Sequence, residues 1–132
     1  MNKLKLFLLI LFSQFLNSQS IIGAWEKYET NSDGSTHRHV VIFSEGFKST
    51  SVFDSSNGKF ISTNGGSWFL DGSTLTEKIE FNTQDQEKVG STIKVELDIK
   101  EDTVTNINSG KTWNRIDDGS PGQLNGAWLM SG

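Results

Sequence analysis

The stretch Ile21-Ile22-Gly23-Ala24-Trp25-Glu26-Lys27-Tyr28-Glu29 is followed closely by Asn31-Ser32-Asp33-Gly34. Apolar and aromatic residues ahead of an Asp-Gly step are typical of a β-strand that ends in a tight hairpin, because the glycine supplies the positive φ that the turn needs. The Gly-Ala-Trp core of this stretch occurs once more, at residues 126–128. We therefore take residues 22–30 as the opening strand of the fold.

The same alternation of short apolar segments and turn signals continues along the chain. Turns at roughly eight-to-twelve-residue spacing, without a sustained helical period, indicate an all-β sandwich or barrel. Gly65-Gly66 interrupts one segment and predicts a bulge or a sharp bend there. The predicted strands cover residues 22–30, 36–43, 47–54, 59–70, 74–82, 90–100, 103–108 and 111–116.

The short connections favour an up-and-down barrel over a Greek-key sandwich. A Greek-key sandwich normally needs a long crossover, and the sequence offers none. Closing eight consecutive hairpin-linked strands into a ring removes both exposed edges. We therefore predict an eight-stranded antiparallel up-and-down barrel, whose interior either is filled by side chains or holds one small ligand.

The first twenty residues have the layout of a signal peptide. Lys3 and Lys5 precede the apolar run 6–12, and small polar residues follow at 17–20. The apolar run is well short of the roughly 20 residues that a membrane-spanning helix needs. We expect cleavage after Ser18 or Ser20, the alternative being an uncleaved anchor, so that the product is secreted or periplasmic without a transmembrane segment. Since the chain has no cysteine, neither disulfides nor a lipoprotein anchor enter the prediction.

The organisation that follows is a barrel domain at 21–116 and a tail at 117–132. The second Gly-Ala-Trp suggests that 117–122 is a linker and that a second repeat begins after it. Two other interpretations stay open: a chance match in a plain tail, or a segment, 124–130, that docks on a strand edge or the barrel mouth.

The charge pattern bears on possible partners. The net charge is −4 and the twelve basic residues are scattered. Nucleic-acid binding normally requires clustered Lys and Arg. We therefore expect no nucleic-acid partner, and no pattern in the sequence indicates an oligomeric state.

Two short motifs carry a resemblance to a known superfamily. Gly23-Ala24-Trp25 in the first strand and Trp113-Asn114-Arg115 in the last resemble the pattern shared by lipocalins, fatty-acid-binding proteins and avidins, the calycins. The resemblance implies structural roles for Gly23, Trp25 and Arg115: the tryptophan plugs the closed end and the arginine packs across its ring. A large aromatic ring under a guanidinium is also favourable in itself.

A narrower resemblance covers the middle of the chain. Residues 65–68, 76–81 and 89–90 are similar to lipocalin-like domains of secreted bacterial proteins of unassigned function, which often occur in tandem. The chain departs from lipocalins proper in lacking cysteines and a helix after the barrel. The resemblance therefore implies a fold, not a particular ligand.

The candidate ligand-binding residues are Tyr28, His39, Trp68 and Glu77. Glu77 falls on the apolar phase of Leu75 and Ile79, and a carboxylate there needs a partner. Arg38, His39, Tyr28 or the polar head of a ligand are the candidates. The inward face of the second strand is open, because His39 shares a face with Val41 whereas Arg38 shares one with Ile42.

Metal binding and catalysis are not expected. His37 and His39 share a face, but a catalytic zinc normally takes three protein ligands, and only a carboxylate such as Glu77 could be the third. No cofactor motif, Gly-x-Ser-x-Gly elbow or phosphate loop is present. The carboxylates Glu26, Glu29, Glu80 and Glu96 are expected to face water.

Aromatic side chains outnumber what plugging the base requires. They either line an apolar cavity or fill a small barrel. The sequence therefore predicts an exported, non-catalytic barrel that binds a small apolar or amphipathic ligand. The alternative is a secreted protein-interaction or assembly module with a solid, side-chain-filled barrel.

Overall fold

The computed structural model describes residues 20–120. The predicted signal peptide and the proposed start of a second repeat lie outside these residues, apart from Ser20 and the first part of the linker. Within them no helix is long and apolar enough to cross a membrane. One 3-10 turn, Gln86–Lys88, lies within them, between the fifth and the sixth strand. The strands are β1 Gly23–Thr30, β2 Thr36–Ser44, β3 Phe47–Asp54, β4 Phe60–Asp71, β5 Thr74–Asn82, β6 Thr92–Ile99, β7 Thr103–Asn106 and β8 Thr112–Arg115.

The eight strands form a closed antiparallel barrel in up-and-down order. Each strand pairs with the next, and the ring closes where Trp25 and Glu26 of β1 pair with Arg115 and Asn114 of β8. The predicted fold class is therefore confirmed. The interruption predicted at Gly65-Gly66 is also present, as a shift of register between β4 and β5 at these two residues.

The base of the barrel is built around Trp25, which is 1% exposed. Its indole N–H donates to the carbonyl oxygen of Ile21 over 2.8 Å. The guanidinium of Arg115 lies 4.0 Å from the centre of the indole ring and donates to the carbonyls of Ser20, Ile22 and Glu101. The cation thus covers the ring while its donors hold both ends of the domain together.

Gly23 lies directly beside this arrangement. Its φ is +135°, and a Cβ there would lie 2.5 Å from Nη1 of Arg115. Only glycine combines this backbone conformation with so close an approach. The structure therefore brings together the three residues for which the resemblance implied an architectural role.

The burial pattern settles which face of β2 points inward. Val41 and Phe43 are buried, whereas Ile42 is exposed. His39 therefore shares the interior face, and Arg38 lies outside, where its guanidinium donates to Glu26 over 2.6 Å.

The seam of the barrel is incomplete toward the end opposite Trp25. β7 and β8 are shorter than predicted, and β6 pairs with β7 only over Leu97–Ile99. Pairing of β1 with β8 stops at Glu26. Ile93 of β6 is 40% exposed, and no β7 residue pairs with it. Beyond Glu26, the side chain of Lys27 on β1 lies over the ring of Trp113 on β8.

Candidate functional site

The interior holds a cavity of about 140 Å³. Val41 of β2 and Leu75 of β5 form part of its wall, and most of the lining is apolar. Engineered apolar cavities of about 150 Å³ admit benzene, whereas drug-sized ligands occupy about 300–1,000 Å³. The space therefore suits a molecule of about one ring. The lining residues are Trp25, Val41, Phe43, Lys48, Thr50, Leu75, Glu77, Val95, Leu97, Val104, Asn106 and Trp113.

Glu77 projects into this cavity from β5 and is 6% exposed. Its Oε2 accepts a hydrogen bond from Nζ of Lys48 on β3 over 2.8 Å. Its Oε1 is buried and has no partner among residues 20–120. The partner is therefore Lys48, not Arg38, His39 or Tyr28 as proposed from the sequence. One carboxylate oxygen remains available to a hydrogen-bond donor.

Trp113 of β8 contributes a hydrogen-bond donor, whereas Glu77 contributes an acceptor. Its Nε1 is buried and has no acceptor among the described residues. The ammonium group of Lys27, from β1, lies 5.2 Å from the centre of its ring. An indole nitrogen only donates, so the residues that line the cavity include one fully buried acceptor and one fully buried donor without a partner among the described residues.

Lys27 belongs to a charged cluster at the incomplete seam. Its Nζ bonds Oε2 of Glu29, and Oε1 of Glu29 accepts from Lys111, before β8, over 2.5 Å. The hydrogen bonds from Lys111 and Lys27 lower the pKa of Glu29 from 4.5 to about 2. Glu29 thus links β1 to the start of β8 where the backbone ladder is missing. Glu29 was expected to face water; its side chain is 35% exposed, and both of its carboxylate oxygens are bonded to lysines.

His39 lies inside the barrel near this cluster but does not line the cavity. Its Nε2 is 3.7 Å from Oε2 of Glu29. Burial, and then the nearby charge of Lys27, lowers the pKa of the imidazole. The structure thus places His39 on the inward face but outside this cavity, and its role in ligand binding remains a prediction.

Tyr28 and Trp68 also lie outside this cavity. Tyr28 is 59% exposed, because it is three residues from Trp25 and therefore on the opposite face of β1. Trp68 packs edge-on against Phe43 with ring centres 5.3 Å apart, and its indole donates to the carbonyl of Ser44 over 3.0 Å. Of the four candidates, only Glu77 lines the cavity.

Sequence reasoning missed Lys27, Lys48 and Trp113 as interior residues. The signal for Lys27 was available, since it is two residues from Trp25 and so lies on the same face. The inward position of Lys48 was harder to predict, because apolar and polar residues do not alternate regularly along its strand. Trp113 was considered only as part of the motif that contains Arg115. The two residues are two positions apart on one strand, so both side chains lie on the inward face.

Hydrogen bonding and apolar contact are the chemistry that this cavity offers. Its carboxylate and its ammonium group, Glu77 and Lys48, neutralise each other. Within residues 20–120 no three His, Asp or Glu side chains come close enough to hold a metal ion. Comparison with known protein families, with curated proteins and with solved structures finds no significant match.

Replacing Glu29 by glutamine tests the cluster. Because the folded-state pKa is below the usual value, Glu29 stabilises the fold above about pH 4.5, and this contribution is lost as the pH falls toward about 2. The side chain is 35% exposed, so screening reduces the contribution to about 1 kcal/mol. We expect Glu29→Gln to lose about that much at pH 7 and to show a shallower loss of stability on acidification.

Urea unfolding at a series of pH values measures this effect. Glu45→Gln is the matched control, because Glu45 is exposed in the turn between β2 and β3 and makes the same change of charge. Parallel pH curves for Glu29→Gln and the wild type would contradict the assignment.

Proposed function

We propose that this protein is an exported, lipocalin-like barrel that binds one small, mainly apolar ligand without transforming it. The observation that carries the proposal is the cavity of about 140 Å³ within a closed eight-stranded barrel. Barrels of eight strands are just wide enough either to be filled or to hold one small ligand. Here the side chains leave room for about one ring.

The lipocalin-like assignment rests on the base of the barrel. Trp25 with Arg115 across its ring, and Gly23 beside them, is the arrangement that the resemblance to calycins implies. Export rests on the charged and apolar pattern of residues 1–20. The alternative, an assembly module with a solid barrel, is less well supported because the interior is not filled.

The size of the cavity narrows the ligand. A long acyl chain needs more than this volume, whereas a benzene-sized ring fits. Lining residues Val41, Leu75 and Leu97 are aliphatic and buried. The ligand therefore gains affinity mainly by leaving water for an apolar site.

A matched pair of substitutions on β2 tests the proposal. Val41 lines the cavity, and its neighbour Val40 faces outward. We expect benzene, followed by amide chemical shifts, to bind the wild type saturably, with shifts at Leu75 and Leu97. Val41→Phe should abolish saturable binding because the new ring occupies the space, whereas Val40→Phe should retain it.

Native mass spectrometry of the purified protein provides a second measurement, since a bound molecule adds its mass to the chain. Absence of saturable binding of benzene in the wild type, or equal binding by Val41→Phe and Val40→Phe, would contradict the proposal.

A further inference from the structure

Two polar atoms in the cavity wall are buried and have no hydrogen-bond partner among residues 20–120. They are Oε1 of Glu77 on β5 and Nε1 of Trp113 on β8, and both side chains line the same cavity. Leaving such an atom unpaired in an apolar site is unfavourable. Two such atoms on side chains that line one cavity indicate the polar groups that an occupant should carry.

Glu77 specifies a donor on the ligand. Its Oε2 is held by Lys48, and the two side chains are 8% and 13% exposed. An ionised carboxylate only accepts hydrogen bonds. The group that satisfies its second oxygen is therefore an O–H or an N–H.

Trp113 specifies an acceptor on the ligand. An indole nitrogen has one hydrogen to donate and no lone pair to offer. The neighbouring cation, Lys27, lies 5.2 Å from the ring centre and is itself bonded to Glu29. An ammonium group has no acceptor either, so Lys27 cannot satisfy this N–H.

The charges around the cavity disfavour an ionised ligand. A carboxylate placed against the free oxygen of Glu77 would be repelled by it. A cation would enter a space bordered by Lys48 and approached by Lys27. Desolvating a charge without a new counter-ion is strongly unfavourable.

Building on the proposed function, we propose that the ligand is a neutral ring compound bearing both a donor and an acceptor. Its O–H or N–H donates to Oε1 of Glu77, and an oxygen or nitrogen lone pair accepts from Nε1 of Trp113. Phenols and small heterocyclic amides have this chemistry and this size.

A series of single-ring probes tests the inference in the wild-type protein: benzene, phenol, 2-pyridone and benzoate. We expect phenol and 2-pyridone to bind about tenfold more tightly than benzene, because they satisfy atoms that benzene leaves unpaired. Benzoate should bind most weakly. Equal affinities for benzene, phenol and 2-pyridone, or tightest binding by benzoate, would overturn the inference.

Two variants assign the preference to the named atoms. Trp113→Phe keeps a ring and removes the N–H, so the preference for phenol over benzene should shrink. Trp68→Phe makes the same change at an indole bonded to Ser44 and away from the cavity, so the preference should persist. A double variant, Lys48→Met with Glu77→Met, removes the acceptor together with its cation and leaves the Trp113 N–H, so it should still bind benzene and its preference for phenol should shrink.

The outcomes separate this inference from the function on which it rests. If no probe binds the wild type saturably, the ligand-binding proposal fails. If all bind alike, the barrel binds ligands but the assignment of donor and acceptor is wrong. If the double variant does not fold, the wild-type series and the comparison of Trp113→Phe with Trp68→Phe still test the assignment of donor and acceptor.

Discussion

Replacing Trp25 by alanine is expected to lower the free energy of unfolding by about 3–5 kcal/mol. The side chain is 1% exposed, so its removal leaves a void next to the existing cavity. The change also removes the indole bond to Ile21 and the ring under Arg115. A domain of this size has a total stability of about 5–15 kcal/mol, so the variant should be close to unfolding at room temperature.

Urea unfolding followed by far-UV circular dichroism measures this loss. Trp68→Ala is the matched control: Trp68 is only partly buried against the core, and its truncation should cost distinctly less. Trp25→Phe should recover part of the stability because a ring remains beneath the guanidinium. A loss of under about 1 kcal/mol for Trp25→Ala would mean that the indole does not organise the base.

The strands and their order could be predicted because turn chemistry is local. The Asp-Gly step at 33–34 and the Asn-Gly step at 57–58 place two of the hairpins, and both glycines have positive φ in the structure. Adjacent pairing then follows from short connections. The ends of β7 and β8 were less predictable, because their length depends on how far the curved seam keeps neighbouring strands in contact.

The site was harder to predict because its interior is partly charged. Hydrophobicity assigned Glu29 to water, although it is four residues from Trp25 and therefore shares its inward face. Tyr28 was proposed as an interior residue because its hydroxyl could bind a polar group. It is three residues from Trp25, so the two-residue period of a strand puts it on the outer face. Glu77 was found because its neighbours of like phase are strongly apolar. Its partner Lys48 could not be predicted in this way, because Lys48 lies on β3 and Glu77 on β5. Residue spacing within one strand does not reveal a contact between strands that are not neighbours.

Substituting Gly66 by alanine is expected to destabilise the barrel by at least about 3 kcal/mol. A Cβ at this position would lie 1.9 Å from the carbonyl oxygen of Lys78 and 2.8 Å from the backbone nitrogen of Glu80. Both obstacles are backbone atoms of β5, so the strand itself must move. The free energy of unfolding in urea measures the cost.

Gly72→Ala separates this steric effect from the general cost of replacing glycine. Gly72 has φ +60° and open space around its Cβ direction, so its substitution should cost only about 1–2 kcal/mol. Similar losses for Gly72→Ala and Gly66→Ala would contradict a role for close backbone approach at the bulge.

The position of Gly66 also connects the bulge to the cavity. Gly66 stands opposite Lys48 on β3 and opposite Ile79 on β5, so it lies on the strand that separates Lys48 from Glu77. A displacement of β5 there changes the distance between the ammonium group and the carboxylate, now 2.8 Å. We therefore expect that the folded fraction of Gly66→Ala shows a smaller preference for phenol over benzene than the wild type does. Unchanged relative affinities would show that the bulge shapes the wall without positioning its polar groups.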